Sequence, residues 1–309
     1  MADVSVVIPT YNRVLQVKEA IDSVLAQSEP VREVIVVDDG SIDGTREELL
    51  AYGSRIRAFF PPKGGASAAR NHGMRAAQGE WIAFLDDDDV WLPAKIERQI
   101  ELARRNPALG LVYCDDNAVD EHLRILYRRA AAPENRGDVF ERLLVKNFIF
   151  TSCVIARRHA IEKAGYMDLE FKFAQDWDLW LRIAAEHSVD FVAEPLVLYR
   201  QSNSACLTRD VKALDRLREM QTISERAMRV RKVPLSVRRR ARFELRCQAA
   251  ANRLAEAKNG QAFSQSFHAV ILQPTSFEGY RLLVYSVLPR RFRDWLRAAA
   301  RSFQITGET

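Results

Sequence analysis

Residues 79–89 read Gly79-Glu80-Trp81-Ile82-Ala83-Phe84-Leu85-Asp86-Asp87-Asp88-Asp89. The apolar run Trp81–Leu85, bounded by a glycine and by charge, is the pattern of a strand buried on both faces, as in a parallel sheet. The aspartates at its carboxyl end need a separate explanation. Two carboxylates about 4 Å apart repel by about 4 kcal/mol at an effective dielectric of about 20, and a divalent cation removes that repulsion. Oxygen-only ligands favour Mg²⁺ or Mn²⁺ over zinc. Such an ion would hold a ligand's phosphates and neutralise a departing diphosphate. The competing explanation is that these aspartates cap the helix entered near Pro93 and point into water. Capping accounts for one or two of them.

The same arrangement occurs twice upstream. Val4–Ile8 ends at Pro9-Thr10-Tyr11-Asn12, and Val34–Val37 ends at Asp38-Asp39-Gly40-Ser41. Between them Val14, Val17, Ile21, Val24 and Leu25 fall on one helical face, and Ser41 or Asp43 would cap the helix that follows. Ile56–Phe60 reads as a third strand stopped by Pro61-Pro62, and Leu111–Cys114 as a fifth ending in Asp115-Asp116. Strands alternating with helices predict an α/β fold with a mainly parallel sheet flanked by helices. Ligands bind such sheets beyond the carboxyl ends of the strands, where Thr10, Asp38-Asp39 and Asp86–Asp88 would gather. A carboxylate of Asp38-Asp39 would accept a hydrogen bond from a nucleobase N–H, or the pair simply solvates its loop.

Gly64-Gly65-Ala66-Ser67-Ala68-Ala69-Arg70-Asn71 is a glycine turn into a small-residue helix ending near Ala77. It lets backbone approach a ligand, with Arg70 toward a base or phosphate, or it serves tight helix–sheet packing. It is neither a Walker A loop nor a dinucleotide fingerprint. Farther on, Ser152–Ala156 and Phe191–Ala193 read as strands, and Trp177, Trp180, Leu181 and Ala184 have helical spacing. Gln175-Asp176-Trp177-Asp178 puts two acids at that helix start. One caps the helix, with Asp178 favoured, and the other is a candidate general base. The tryptophans fit a core face or a stacking surface for a sugar.

The 309 residues suffice for one large α/β domain and an appendage. The longest apolar runs fall well short of the roughly 18 residues of a membrane span. The start of the chain enters a strand at once, so a cytoplasmic protein is expected. Cys114, Cys153, Cys206 and Cys247 lie far apart, which predicts buried, reduced thiols. The net charge of +5 hides an asymmetry: 22 Lys/Arg against 9 Asp/Glu from Arg200 onward, and 24 against 32 before it. An acidic catalytic part and a basic tail suggest two jobs.

Several ordered motifs together resemble the family 2 inverting glycosyltransferases. Val4-Ser5-Val6-Val7-Ile8-Pro9-Thr10-Tyr11-Asn12-Arg13 and Val36-Val37-Asp38-Asp39-Gly40-Ser41-Ile42-Asp43-Gly44-Thr45 are similar to that family's opening. Gly65–Asn71, Gly79–Asp89 and Gln175-Asp176-Trp177-Asp178-Leu179-Trp180-Leu181-Arg182 match it in order and spacing, so the resemblance spans roughly residues 3–203. It implies a GT-A fold, a nucleoside-diphosphate-sugar donor (a UDP-sugar favoured), a Mn²⁺ or Mg²⁺ ion and inversion at the anomeric carbon. By resemblance Pro9, Thr10 and Tyr11 border the base and ribose, Asp39 binds uracil N3, and Arg70 lies over the nucleotide. Asp86-Asp87-Asp88 stands at the DxD motif, with Asp87 near ribose and Asp88 on the metal. Asp176 is the base that takes the acceptor hydroxyl proton. Many relatives carry Glu-Asp where this chain has Gln175-Asp176, and a His shortly after a Tyr-Arg pair. Here Tyr199-Arg200-Gln201 is followed by Ser202.

The expected organisation is therefore a GT-A catalytic domain over residues 1–205 and a helical basic extension over 206–309. The acceptor would be a glycan or a lipid-linked molecule in cell-surface polysaccharide synthesis, and oligomerisation is open. From Arg290 to Phe303 a helical projection puts Phe292, Trp295, Leu296, Ala299 and Phe303 on one face and Arg293, Arg297 and Arg301 on another. That face suits peripheral attachment to an anionic membrane at its cytosolic side, or packing on protein. Nucleic acid is not an expected partner, since no recognised binding module is present. Two other classes compete. A metal-dependent phosphoesterase or nuclease needs further carboxylates or His at fixed positions. A non-catalytic nucleotide-sugar-binding protein has no use for Asp176.

Overall fold

The computed structural model describes residues 1–201, 213–255 and 258–288. The chain divides into two compact units, Met1–Val211 with Arg229–Arg231, and Lys212–Met228 with Lys232–Thr309.

The first unit is built on β1 (Ala2–Thr10), β2 (Val31–Asp38), β3 (Arg57–Phe59), β4 (Trp81–Phe84), β5 (Val90–Trp91), β6 (Leu109–Val119), β7 (Ile125–Arg129), β8 (Ile155–Arg157) and β9 (Ser188–Arg200). Its helices are α1 (Val14–Leu25), α2 (Thr45–Ala51), α3 (Ala66–Ala76), α4 (Lys95–Arg105), α5 (Phe140–Val145), α6 (Arg158–Ala164) and α7 (Gln175–Ala184). The strands form one sheet in the order β3-β2-β1-β4-β8-β6-β9-β5, with β7 also paired to β6.

From β3 to β4 every pairing is parallel, as the buried apolar runs require. Thr10 lies opposite Asp38, and Val7 opposite Phe84. The polar residues that follow β1, β2 and β4 therefore leave the sheet at one edge. Pro9 tolerates its strand position because β4 pairs with β1 only as far as Val7, so no ladder donor is lost there. Gly73 sets how closely α3 approaches: a Cβ at that position would meet Val7 Cγ1 at 2.5 Å. Tight packing thus accounts for part of the small-residue character of α3.

Beyond β4 the sheet becomes mixed. β8 runs antiparallel to both β4 and β6, β5 runs antiparallel to β9, and β6 with β9 is parallel. The strand expected at Leu111–Cys114 extends to Val119 and carries Asp115 and Asp116 within it. Both are buried. They are tolerated because the adjacent β7 supplies Arg128 to Asp115 and Arg129 to Asp116. Pro93 does not sit in the first turn of α4. The preceding chain makes its own turn, Lys95 N–H donating to Leu92 C=O, and the Pro93 carbonyl accepts from Ser28.

The second unit contains α8 (Ala213–Val230) as far as Met228, α9 (Leu235–Ala255), α10 (Asn259–Leu272) and α11 (Phe277–Val287). Its core gathers Phe243, Cys247, Ala250 and Leu254 of α9, Ala262 and Ala269 of α10 and Leu282 of α11. Among the described residues no helix is long and apolar enough to cross a membrane. The amphipathic stretch 290–303 lies outside the described residues. Cys114, Cys153 and Cys247 are free, buried thiols.

Candidate active site at the carboxyl edge of the sheet

The first two loops at the edge hold each other in place. Asn12, at φ 51°, donates its N–H to Ser41 Oγ and accepts from Ile42 N–H at Oδ1. Ser41 in turn donates to Asp38 Oδ1 from both N and Oγ. Asp43, rather than Ser41, serves the helix starts. Its Oδ1 accepts from Thr45 at the beginning of α2 and its Oδ2 from Val14 N–H at the beginning of α1. Asp38 is thereby spent on its own turn.

Asp39 is directed elsewhere. Its N–H donates to the Thr10 carbonyl. Its carboxylate accepts from Gly64 N–H at 2.7 Å and from Gly65 N–H at 2.9 Å on Oδ2. Gly65 has φ +88°, a left-handed conformation that favours glycine. The glycine turn therefore anchors Asp39. Asp39 also borders a cavity of about 450 Å³ lined by Pro61, Pro62, Ala68, Ala69 and His72. A carboxylate oxygen with one donor keeps a lone pair for another. Thr10 is buried beside Asp39, while Tyr11 is partly exposed with Lys63 Nζ 3.7 Å from its ring centre.

The acidic run splits into distinct roles. Asp86 bonds Arg70, whose Nη2 donates to Oδ1 at 2.5 Å. Asp87 and Asp88 share one guanidinium, with Arg13 Nη1 2.8 Å from Asp87 Oδ1 and 2.6 Å from Asp88 Oδ2. Asp89 is wholly committed to the scaffold: Ser152 Oγ and Arg200 N–H donate to its two oxygens. Arg200 also donates to the Asp88 carbonyl. Capping of α4 explains none of the four.

The local field is strongly acidic. Burial, with Asp88 adding and Arg13 opposing, pushes the Asp87 carboxyl up to about 6. Burial raises Asp88 as well, against Arg13 and with Asp86. Asp89 is held well above the carboxylate range by burial, then by Asp88 and Asp86. A cation placed at Asp88 would relieve this crowding, and Arg13 already supplies one positive charge there.

Asp176 opens α7 and is half-buried. Its Oδ1 accepts from Trp177 N–H at 2.7 Å and its Oδ2 from Thr151 Oγ1 at 3.2 Å. Burial raises its pKa; the Trp177 N–H, the Arg70 charge and Thr151 pull it down, and Asp86 adds to the rise. Arg70 is buried, and its guanidinium feels Asp86 first, then Asp176 and Asp87. Arg70 thus links the acidic loop to the candidate base. Asp178 does not cap α7. It forms an ion pair with Arg182 at 2.6 Å, one turn along the helix, because Arg182 also ties down the Ala164 and Tyr166 carbonyls. Trp177 and Trp180 are buried core residues, and Trp177 Nε1 donates to the Leu143 carbonyl, so neither offers a stacking surface.

The fold therefore brings Thr10, Asp39, Arg70, Asp86–Asp88 and Asp176 to one sheet edge. Motif reading did not assign roles to Arg13, Thr151, Ser152 and Arg200. Arg13 was legible as the charged end of Pro9-Thr10-Tyr11-Asn12-Arg13, whereas Thr151 and Ser152 carry no local signal. Among the described residues no three His, Cys, Asp or Glu side chains form a metal-holding group.

Comparison with known proteins gives three kinds of match. The family described as Glycosyl transferase family 2 matches residues 5–165. A putative teichuronic acid biosynthesis glycosyltransferase, TuaG of Bacillus subtilis, is 44% identical over 222 residues, covering 68% of this chain and 83% of that protein. An uncharacterized glycosyltransferase of Rickettsia typhi is 34% identical over 203 residues, covering 64% of this chain, and the match spans 63% of that relative's length. A mannosyltransferase from Pyrobaculum calidifontis in complex with GDP-Man and Mn²⁺ superposes with a TM-score of 0.62 at 19% identity, covering 95% of this chain and 82% of that one. S. aureus TarS 1–349 in complex with UDP-GlcNAc does so with a TM-score of 0.60 at 15% identity, covering 90% and 93%. At these identities the structures establish the shared GT-A fold.

Proposed function

This chain belongs to glycosyl transferase family 2, and we propose on that premise that it transfers a sugar from a nucleoside-diphosphate donor to an acceptor hydroxyl, with inversion at the anomeric carbon. A UDP-hexose is the favoured donor and a glycan or lipid-linked acceptor in polysaccharide synthesis the favoured acceptor. The likeness to TuaG, a putative teichuronic acid biosynthesis glycosyltransferase, and to TarS in complex with UDP-GlcNAc supports this choice. The observation that carries the reading is the Asp86–Arg70 bond at the sheet edge, with Asp176, held by Thr151 and the Trp177 N–H, in the electrostatic field of the same guanidinium. It joins a diphosphate-side loop to an acceptor-side base.

In this reading Asp39 takes the nucleobase N–H, Pro9, Thr10 and Tyr11 flank base and ribose, and Asp87 faces the ribose. Mn²⁺ or Mg²⁺ fits a hard carboxylate donor set. Asp88 would hold the ion, which when bound offsets the charge of the leaving diphosphate. Arg13 and Arg70 add fixed positive charge beside that diphosphate, an electrostatic contribution needing no reorganisation. Asp176 takes the acceptor proton as the oxygen attacks in line. Its raised pKa strengthens it as a base, and the Trp177 N–H and Thr151 hydroxyl fix the carboxylate so that it stays aimed. A two-metal phosphoesterase would recruit further carboxylates, but Asp89, Asp115 and Asp116 are engaged by Ser152, Arg128 and Arg129.

A donor screen with Mn²⁺ present, scored by sugar transfer or donor hydrolysis, tests the class. Asp176→Asn is nearly isosteric and loses the base, so transfer should fall by about 10²-fold or more while donor affinity holds. Transfer near wild type in Asp176→Asn, with Asp178→Asn inactive, would reassign the base.

A further inference from the structure

The hairpin of α10 and α11 buries mostly small residues and exposes most of its large apolar ones. Its buried positions are small: Ala262, Ser266 and Ala269 on α10, with Gly279 and Ser286 beside Leu282 on α11. A Cβ on Gly279 would come within 3.3 Å of Phe243 Cε2 and Val270 Cγ2, so close approach there demands a small residue. Leu282 is buried and Leu272 and Tyr285 pack against the core, but most of the large apolar side chains point outward. On α10 these are Phe263, Phe267 and Ile271, recurring every fourth residue, with the two phenyl rings stacked at 6.3 Å. On α11 they are Phe277, Tyr280, Val284 and Val287, with Phe277 80% exposed. Each such side chain forgoes about 1.5–3 kcal/mol of burial when left in water. Single exposed apolar residues are ordinary, whereas a contiguous set marks an interaction surface.

Charge identifies the partner. Between Lys258 and Arg290 the sequence has only two charged side chains, Glu278 and Arg281, and these pair with each other at 2.6 Å. On either side lie basic segments, with seven Lys/Arg from Arg238 to Lys258 and five from Arg290 to Arg301. Arg239, Arg240 and Arg242 are exposed on α9. From Lys212 onward the sequence carries 20 Lys/Arg against 8 Asp/Glu. A second copy would bring two strongly positive units together, which costs Coulomb energy. Nucleic acid would want arginines on the contact face, and this face has aromatic and aliphatic side chains instead. An apolar, aromatic face whose charged side chains, Glu278 and Arg281, neutralise each other, and whose flanking segments are rich in arginine, matches an anionic bilayer surface: rings enter the head-group boundary and guanidiniums meet lipid phosphates. With no described helix able to cross a bilayer, the contact is interfacial.

We propose that the α10–α11 hairpin docks this protein onto an anionic lipid surface through Phe263, Phe267, Phe277 and Tyr280. The inference does not rest on the sugar-transfer reading. Flotation of the full chain with vesicles of phosphatidylcholine, alone or mixed with phosphatidylglycerol, tests it. The protein should float with the mixed vesicles at low salt and be released as salt rises. Phe267→Asp combined with Tyr280→Asp should weaken that binding at least tenfold. Because both side chains are exposed, the melting temperature and donor binding should stay unchanged, which keeps a folding defect distinguishable. Three results would overturn the proposal: no flotation of the intact chain at low salt, undiminished flotation of the double variant, or a concentration-dependent dimer that the double variant dissolves without any vesicle binding. Loss of flotation on deleting 290–309 while the double variant still floats would also overturn it, by moving the contact to that segment.

Discussion

The sheet unit and the helical hairpin use apolar residues in opposite ways. In the sheet unit the large side chains are inside: Trp180, Phe84, Phe140 and Ile8 are fully buried, and polar groups collect at the edge where strands end. In the α10–α11 hairpin alanine, serine and glycine are inside with Leu282, and phenylalanine is outside. Helical periodicity alone does not separate the two, because both give an apolar stripe. What differs is which face meets water. The sheet unit buries its largest side chains, although Ile125, Leu126 and Tyr127 of β7 stay exposed, and gathers its polar residues at one edge. The hairpin leaves apolar surface for something else to cover.

Variants can break or sharpen that contrast, and the largest effect is expected at the polar edge. Asp88→Ala should abolish Mn²⁺-dependent UDP binding by calorimetry while the fold survives, since Asp88 is part-exposed in the loop after β4 and its carboxylate pairs only with Arg13 in the described ion pairs. Unchanged metal-dependent affinity would remove Asp88 from that role. Next comes the apolar interior. Trp180→Ala should cost about 3–5 kcal/mol in urea unfolding, the scale for a buried aromatic. Phe277→Ala, truncating an exposed ring, should stay within about 0.5 kcal/mol. Comparable losses at both sites would show that the outer face of α11 is covered in solution.

Lys95 is the exception within the sheet unit, a charge placed in the core. It is fully buried, donates to Gln99 Oε1 at 2.7 Å and lies 3.9 Å from the Trp91 ring. Burial lowers its pKa to about 8 from an unfolded value of 10.5. The unfolded chain therefore binds more protons than the folded one between those values, so stability rises as pH increases through that window. Below about pH 8 the folded state bears the full cost of the buried charge. The stability of wild type relative to Lys95→Met should thus improve by up to about 3 kcal/mol between pH 7.5 and 10.5. A pH-independent difference would mean that Lys95 titrates alike in both states. A modest effect is expected at Arg13. Arg13→Gln removes a cation between Asp87 and Asp88, and Mn²⁺ binding without nucleotide should tighten about fivefold, the scale of a partly exposed ion pair. Weaker Mn²⁺ binding would mean that Arg13 instead holds Asp88 in a binding-competent position.

Much of the sheet unit was legible because its signals are local. Trp81–Leu85 followed by Asp86 reports a buried strand and a polar edge within nine residues, and Gly64-Gly65 reports a turn that only small residues make. What was misread depends on partners distant in sequence. Asp178 looks like a cap until Arg182 is seen to reach the Ala164 and Tyr166 carbonyls. Asp115-Asp116 look like a strand end until β7 delivers its arginines from an antiparallel neighbour.

Sequence alone determined the order of the buried strands, the edge at which their polar residues emerge and the basic character of the tail, since hydrophobic period and charge are properties of contiguous residues. Tertiary structure decided the rest. It divided four adjacent aspartates among Arg70, Arg13 and Ser152, turned Asp39 onto the glycine turn rather than Asp38, and set Asp176 against Thr151 and within the field of Arg70. It also chose which face of the α10–α11 hairpin is buried. Neighbouring residues share a loop, but the charge that answers each carboxylate, and the surface that answers each phenyl ring, come from elements that only the folded chain brings near.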